Sequence, residues 1–362
     1  MSGQQILVDD SQFRGLCMAL ASAGPFSSAQ FQTLEPIATQ HAVRALLRDR
    51  VLARRDRDSG GDERYCAALT DIALREAALE ARRNEHLISV LEALVAAGVA
   101  ALLFKGAALA HSHYPRPELR ERDDTDLAVN VAHLQAAGDV LERLGFRPIT
   151  ANEGSLVMRQ RLYRRRDVDG LMHNIDLHWA ISNSSRTARL TVRGLLARSV
   201  ALPALSAHAR VPGSIDALLI ACAHLDAHHV DDVRLIWLYD IHLLIENMPI
   251  AMRVSATQRA LEYGLAPACA WVLTALARAL GSSLVGFEPL TRHDKITPPS
   301  GRRIAQWQRE LLALHDNRTR MNWLWQQMIP NERYMRAPTN ATTSLWRLHL
   351  TRLFRGITHL TR

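Results

Sequence analysis

The stretch Val99–Val131 reads VAALLFKGAALAHSHYPRPELRERDDTDLAVNV and decides the fold. VAALLF (99–104) is a short, uninterrupted apolar run, the pattern of a buried strand. KGAALAHSHY opens on a glycine turn and continues as a helix. PRPELRERDD is a polar loop, and TDLAVNV is a second strand entering a core. The sequence therefore predicts strand, turn and helix, then a strand that carries acidic residues at its start.

Working outward, VAHLQAAGDVLERLGF (Val131–Phe146) predicts an amphipathic helix. LVMRQRLYRRRD and HNIDLHWAI predict two strands joined by a turn at Asp169–Gly170. The middle of the chain thus reads as a small sheet domain of about 100 residues. On its N-terminal side Ala, Leu, Arg and Glu dominate, with a polar break at Asp56–Glu63. His86–Gly98 (HLISVLEALVAAG) is an apolar-faced helix ending near a glycine. From Ser214 onward SIDALLIACAHLDAHH, VRLIWLYDIHLLIENM and TQRALEYGLAPACAWVLTALARALG predict further helices, and Thr297–Gly301 (TPPSG) a loop. The expected class is α+β: a small mixed sheet core flanked by helical regions on both sides. The boundaries drawn are 1–84, 85–210 and 211–362.

The bulk numbers set limits. Hydrophobic residues make up 48% of 362, which excludes wholesale disorder. The net charge of +8 suits anionic ligands such as nucleotides, nucleic acid or an anionic membrane, without choosing among them. Lys105 and Lys295 are the only lysines beside many arginines. In an arginine-biased chain, a retained lysine points to a need for its compact ammonium. The four cysteines are far apart with no C-x-x-C pair, and the N-terminus lacks a basic segment followed by an apolar run. A reducing, cytoplasmic setting is expected, and no transmembrane segment. The sequence is silent on oligomeric state.

The chemistry concentrates on carboxylates. Asp124 and Asp126 are separated by one residue on an expected strand, so both side chains point to one face. An acidic pair at a strand end is ordinarily just solvated. Asp176, in the later strand segment I-D-L-H-W, adds a third carboxylate, the number a two-metal phosphoryl-transfer site needs. The glycine turn before the helix, at Gly106, lets backbone N–H groups approach phosphate. His178 shares the strand face of Asp176, and Trp179 points the other way.

This ordered set resembles the polymerase-β-like nucleotidyltransferase superfamily and, more narrowly, a bacterial family of uncharacterised nucleotidyltransferases. The resemblance runs from about Leu94 to Glu246. It rests on Lys105-Gly106, Leu109, Tyr114-Pro115, Arg120, Asp124-Thr125-Asp126-Leu127 and Asp176-Leu177-His178-Trp179, with the helix of His224 and the later Asp240. The resemblance implies transfer of a nucleoside monophosphate from an NTP to an acceptor hydroxyl, with release of pyrophosphate. It implies Mg²⁺, with Mn²⁺ as substitute, held by Asp124, Asp126 and Asp176. Gly106 and the following backbone at Ala107 would hold the triphosphate. Lys105, Arg120 and His224 would contact nucleotide. Many superfamily members carry Gly-Ser where this chain has Gly106-Ala107. ATP is the first expectation for the NTP. The acceptor stays open among a protein or peptide, an RNA end such as that of tRNA, a sugar and a small molecule. A non-catalytic, regulatory nucleotide-binding protein of the same fold is the alternative.

Three other features have bland readings beside functional ones. His224 and His228 are spaced i, i+4 on a helix and could share a metal with help from His229, Asp226, Asp231 or Asp232. Arg164–Arg166 reads first as a solvated strand edge. The basic, amphipathic LWRLHLTRLFRGITHL near the C-terminus reads as a packed helix or a membrane-surface segment.

Overall fold

The computed structural model describes residues 11–21, 27–54, 63–149, 156–228, 233–292 and 303–329. The remainder of the Asp56–Glu63 break, the Thr297–Gly301 loop, His229, Asp231, Asp232 and the basic C-terminal segment lie outside the described residues.

The N-terminal helices are α1 (Ser11–Ala21), α2 (Ser28–Gln40), α3 (Arg44–Arg54) and α4 (Glu63–Ala96). Helix α2 starts on a capping box: the Ser27 hydroxyl accepts from the Gln30 N–H, and the Gln30 side chain accepts from the Ser27 N–H. Helix α4 runs unbroken for 34 residues and crosses the 84/85 boundary. It stops where Gly98 takes a left-handed φ of 71° and the Val99 N–H reaches back to the Leu94 carbonyl at 2.9 Å.

The core sheet follows: β1 (Ala101–Phe104), α5 (Lys105–Ser112), β2 (Thr125–Val129), α6 (Leu134–Arg143), β3 (Arg147–Pro148), β4 (Gln160–Arg166) and β5 (Met172–His178). Strand order is β1-β2-β5-β4-β3. The β2–β5 pair is parallel; β1–β2, β4–β5 and β3–β4 are antiparallel. The mixed sheet flanked by helices is an α+β fold, as the sequence predicts. The two-residue β3 was not legible as a strand, being too short to show alternation.

Beyond the sheet come α7 (Val192–Ala197), a short ribbon of β6 (Val200–Ala201) and β7 (Arg210–Val211), and helices α8 (Ser214–His228), α9 (Leu235–Glu246), α10 (Ile250–Glu262) and α11 (Ala266–Leu280). Short helices α12 (Glu288–Thr291), α13 (Arg303–Ala313) and α14 (Asn317–Met328) complete the described chain. Among the described residues, no helix is long and apolar enough to cross a membrane.

Side-chain alternation divides the sheet between two cores. Leu103, Leu127, Val129, Ile175 and Leu177 pack with Leu87, Val90, Leu91 and Leu94 of α4 and with Val140 and Leu141 of α6. Those four α4 positions fall on one helical stripe, which is why that stretch lies on a sheet. Leu102, Phe104 and Ala128 point the other way, into a larger core. That core also holds Phe13, Phe31 and Leu47 of the N-terminal helices and Leu238, Leu244 and Leu273 of the C-terminal ones. The two helical regions, far apart in sequence, therefore share one hydrophobic core.

The loop from α5 to β2 is fastened by three consecutive side chains. Arg120 makes a buried ion pair with Asp240 of α9. The Glu121 carboxylate accepts the Ala45 N–H at the start of α3 at 2.8 Å. Arg122 donates to Glu80 of α4 at 2.6 Å and to the Thr125 hydroxyl at 3.0 Å.

Candidate active site

Sheet register brings the acids together. Phe104, Asp126 and Asp176 are direct partners across β1, β2 and β5, so their side chains share one face. That face looks toward the C-terminal helices and borders a cleft of about 840 Å³. Lys105, Gly106, Asp124, Asp126 and Asp176 all line it, and so do Arg120 and His224.

Asp126 is the best-partnered group. Its Oδ1 accepts from the Lys105 ammonium at 2.7 Å and lies 2.8 Å from His178 Nε2. Burial raises its pKa, but Lys105 and the hydrogen bond from His178 outweigh that and hold it well below the usual carboxylate range. Burial keeps the His178 pKa below its ordinary value, so the ring is neutral and donates Nε2–H to Asp126. Phe104 closes over the same ring edge-on, with centroids 4.9 Å apart.

Asp176 behaves oppositely. Burial pushes its pKa up to about 7, and the charges of Asp126 and Asp124 push in the same direction. The Gln160 amide donates to its Oδ2 at 3.1 Å. Ligand atoms of Asp126, Asp176 and His178 lie within 4.8 Å of one another. Asp124 is not in that close set. Strand β2 begins at Thr125, so Asp124 sits just ahead of the strand, lining the cleft. Burial and the Asp126 charge raise its pKa as well. Carboxylates crowded together in a buried site shift in this way.

The turn after β1 is unusual. Lys105 has a left-handed φ of 54°, a conformation that costs a non-glycine residue energy and is retained where geometry demands it. Here it directs the ammonium back over β2 onto Asp126. Gly106 lies under the Arg120 guanidinium: a Cβ there would stand 3.4 Å from Nη2. The Ala107 side chain is turned into the sheet core, away from the cleft.

Arg120 borders the cleft, yet its donors are engaged. Nε and Nη2 bind the two Asp240 oxygens at 2.7 Å each, and Nη1 donates to the Glu121 carbonyl at 2.6 Å. Burial lowers its pKa, but Asp240 more than offsets this and the value is raised. The Tyr114 hydroxyl adds a 2.7 Å bond to Asp240. His224 stands on the opposite wall, edge-on to Trp237 with centroids 6.0 Å apart, and the Arg234 guanidinium lies 5.6 Å over the Trp237 ring. Its neighbour Asp226 is turned inward, bound to Arg186 and to Trp271 Nε1. Among the described residues, the clusters of metal-ligand type are Asp126–Asp176–His178 and His86–Asp167–His173. Neither includes His224.

Strand parity in the sequence put Asp126, Asp176 and His178 on one face, and the register brings those three together; Asp124 lies ahead of the strand. Sequence reasoning missed Gln160, Trp237 and Arg234. Gln160 could have been found by counting back across the Asp169–Gly170 hairpin; nothing local marks the other two.

The family model described as uncharacterised nucleotidyltransferase matches residues 27–281. The chain belongs to this family. The match extends beyond the Leu94–Glu246 span at both ends, taking in α2 to α4 and all of α10 and α11. Family membership supports a general nucleotidyl-transfer function. No curated protein and no solved structure matches the chain.

Proposed function

We propose that the cleft transfers a nucleoside monophosphate from an NTP to an acceptor hydroxyl. The observation that carries this reading is the register pair Asp126–Asp176, with Asp124 lining the same cleft. An all-oxygen donor set of this kind suits Mg²⁺, or Mn²⁺ in its place. Burial and the neighbouring Asp126 and Asp124 charges raise the Asp176 pKa, and a cation held there would offset both. Asp124, Asp126 and Asp176 would hold the metal. When bound, it would stabilise charge on the α-phosphate and the departing pyrophosphate.

The chain's own residues account for the rest. Lys105 reaches the same carboxylate as the metal would, and can turn its ammonium to phosphate oxygens once Asp126 has another partner. The α5 backbone from Gly106 offers N–H groups to the triphosphate. His178 holds Asp126 in place by its Nε2–H. Asp176 orients the acceptor hydroxyl and takes its proton. The acceptor oxygen then attacks the α-phosphorus in line, forming the new P–O bond as the bond to pyrophosphate breaks. Trp237 and His224 provide an aromatic wall for the base, with ATP the first candidate. Arg120 acts at one remove, by bracing the loop that carries Asp124. The cytoplasm, where NTPs are plentiful, is the setting we infer.

The test is incubation with Mg²⁺ and each α-labelled NTP, with lysate or defined protein, tRNA and sugar acceptors. Label transfer is expected from the wild type and not from Asp126→Asn. Transfer that persists unchanged in Asp126→Asn would refute the reading.

A second reading, nucleotide binding without transfer, draws support from the Lys105–Asp126 ion pair, which neutralises Asp126 without a metal. It predicts NTP affinity that is indifferent to Mg²⁺ and no labelled product with any acceptor.

A further inference from the structure

Apart from the cleft, a second cluster joins α4 to the β4–β5 hairpin. His86 comes from α4, His173 from β5, and Asp167 from the turn just after β4. Both histidine Nε2 atoms converge on one oxygen, Asp167 Oδ2, at 3.0 and 2.9 Å. The rings meet edge-on with centroids 4.0 Å apart. The three ligand atoms lie within 4.8 Å of one another, and the Asp167 and His173 side chains are 7% and 5% exposed. This cluster is on the sheet face opposite the cleft, because His173 has the parity of Ile175 and Leu177.

We propose that His86, His173 and Asp167 form a second metal site, selective for Zn²⁺ over Mg²⁺, that clasps the hairpin of β5 to α4. Two imidazole nitrogens and one carboxylate oxygen suit zinc, whereas magnesium prefers oxygen donors. Bond lengths of about 2.0–2.2 Å around a tetrahedral ion put neighbouring ligand atoms roughly 3.3 Å apart. The observed 2.9–3.0 Å contacts need open only slightly to admit an ion. The backbone already fixes the carboxylate: the Asp167 N–H bonds to the Leu171 carbonyl at 2.9 Å, and the Gly170 N–H to the Asp167 carbonyl at 3.0 Å.

Two arginines stand beside the cluster, and each has another partner. Arg82 donates to Asp167 Oδ2 at 3.0 Å, but Asp169 holds it through both guanidinium nitrogens, at 2.5 and 2.9 Å, and neutralises it. Arg165 bonds the Leu144 carbonyl at 3.1 Å and lies 3.4 Å from Asp167 Oδ1. That Oδ1 is buried and accepts no hydrogen bond, so the carboxylate has a lone-pair site to spare. A cavity of about 20 Å³ borders both histidines, and space of this size can hold a water as the fourth zinc ligand. The inference is independent of the nucleotidyl-transfer reading.

The test is a Zn²⁺ titration of chelator-stripped protein against a chromophoric competitor, in two double variants. The Asp126→Asn/Asp176→Asn chain, with its cleft disabled, is expected to keep one tightly bound Zn²⁺, unaffected by millimolar Mg²⁺. The His86→Gln/His173→Gln chain is expected to lose that equivalent. X-ray absorption on the zinc-loaded Asp126→Asn/Asp176→Asn chain should show two imidazoles per ion, where the cleft could supply only His178. Zinc binding unchanged by His86→Gln/His173→Gln overturns the proposal. So does an absorption signature without paired imidazoles, or no tight zinc in the folded wild type.

Discussion

The guanidinium of Arg120 and the carboxylate of Asp240 form a two-point bond with both contacts at 2.7 Å, across 120 residues of sequence. Both side chains are almost fully buried. Removing one partner strands the other charge in the interior, which typically costs about 3–5 kcal/mol. Asp240→Ala is therefore expected to lower the midpoint of denaturant unfolding markedly. Asp240→Asn, which keeps hydrogen bonds but not charge, should cost less. A midpoint unmoved by Asp240→Ala would remove the bracing role assigned to the pair.

The turn residue Lys105 allows a cleaner separation of strain from chemistry. At φ 54°, glycine is at ease and alanine is not. Lys105→Gly should be more stable than Lys105→Ala by about 1 kcal/mol. Both should be impaired in nucleotidyl transfer, since neither retains the ammonium. Equal unfolding midpoints for the two variants would contradict the left-handed turn.

Asp176 gives the pH dependence. Its folded-state pKa is about 7, above the roughly 4 of an unfolded aspartate. The folded state therefore binds the proton more tightly. Its stabilising contribution is complete below about pH 4 and is lost as pH rises through about 7. Mg²⁺ offsets that loss and must displace the proton to bind. The rise in melting temperature caused by Mg²⁺ should accordingly be larger at pH 8 than at pH 6, and Asp176→Asn should flatten the difference. Thermal shift measurements with and without Mg²⁺ check both.

The aromatic wall can be tested by comparing ligands. Trp237→Ala is expected to weaken NTP binding about 10-fold, the loss of one stacking partner. Binding of inorganic triphosphate should be unchanged, because it presents no base. Calorimetry with the two ligands distinguishes a base contact from general damage to the cleft.

Much of this was readable from local patterns. Alternation in TDLAV and NIDLH puts Asp126, Asp176 and His178 on one face, as the register does. The apolar stripe from Leu87 to Leu94 anticipated a helix lying on a sheet. What escaped were relationships between distant residues. Asp240 looks like a helix-surface acid until Arg120 arrives beside it, so Arg120 reads as a phosphate ligand when its donors are engaged by a carboxylate. Trp237 and His224 form a cleft wall because α8 and α9 pack on a core that also takes in α1 to α3. No periodicity within either helix encodes that. Asp124 was placed on the strand by the D-x-D spacing, but β2 starts one residue later.

The three fastenings at Arg120, Glu121 and Arg122 have a mechanical consequence. They tether one short stretch to helices drawn from three separate parts of the chain, like guy-ropes on a mast that carries Asp124. The position of that carboxylate is a compromise among three tensions, none of them set nearby. Lesions at Glu80, at the Ala45 turn or at Asp240 would detune the same acid.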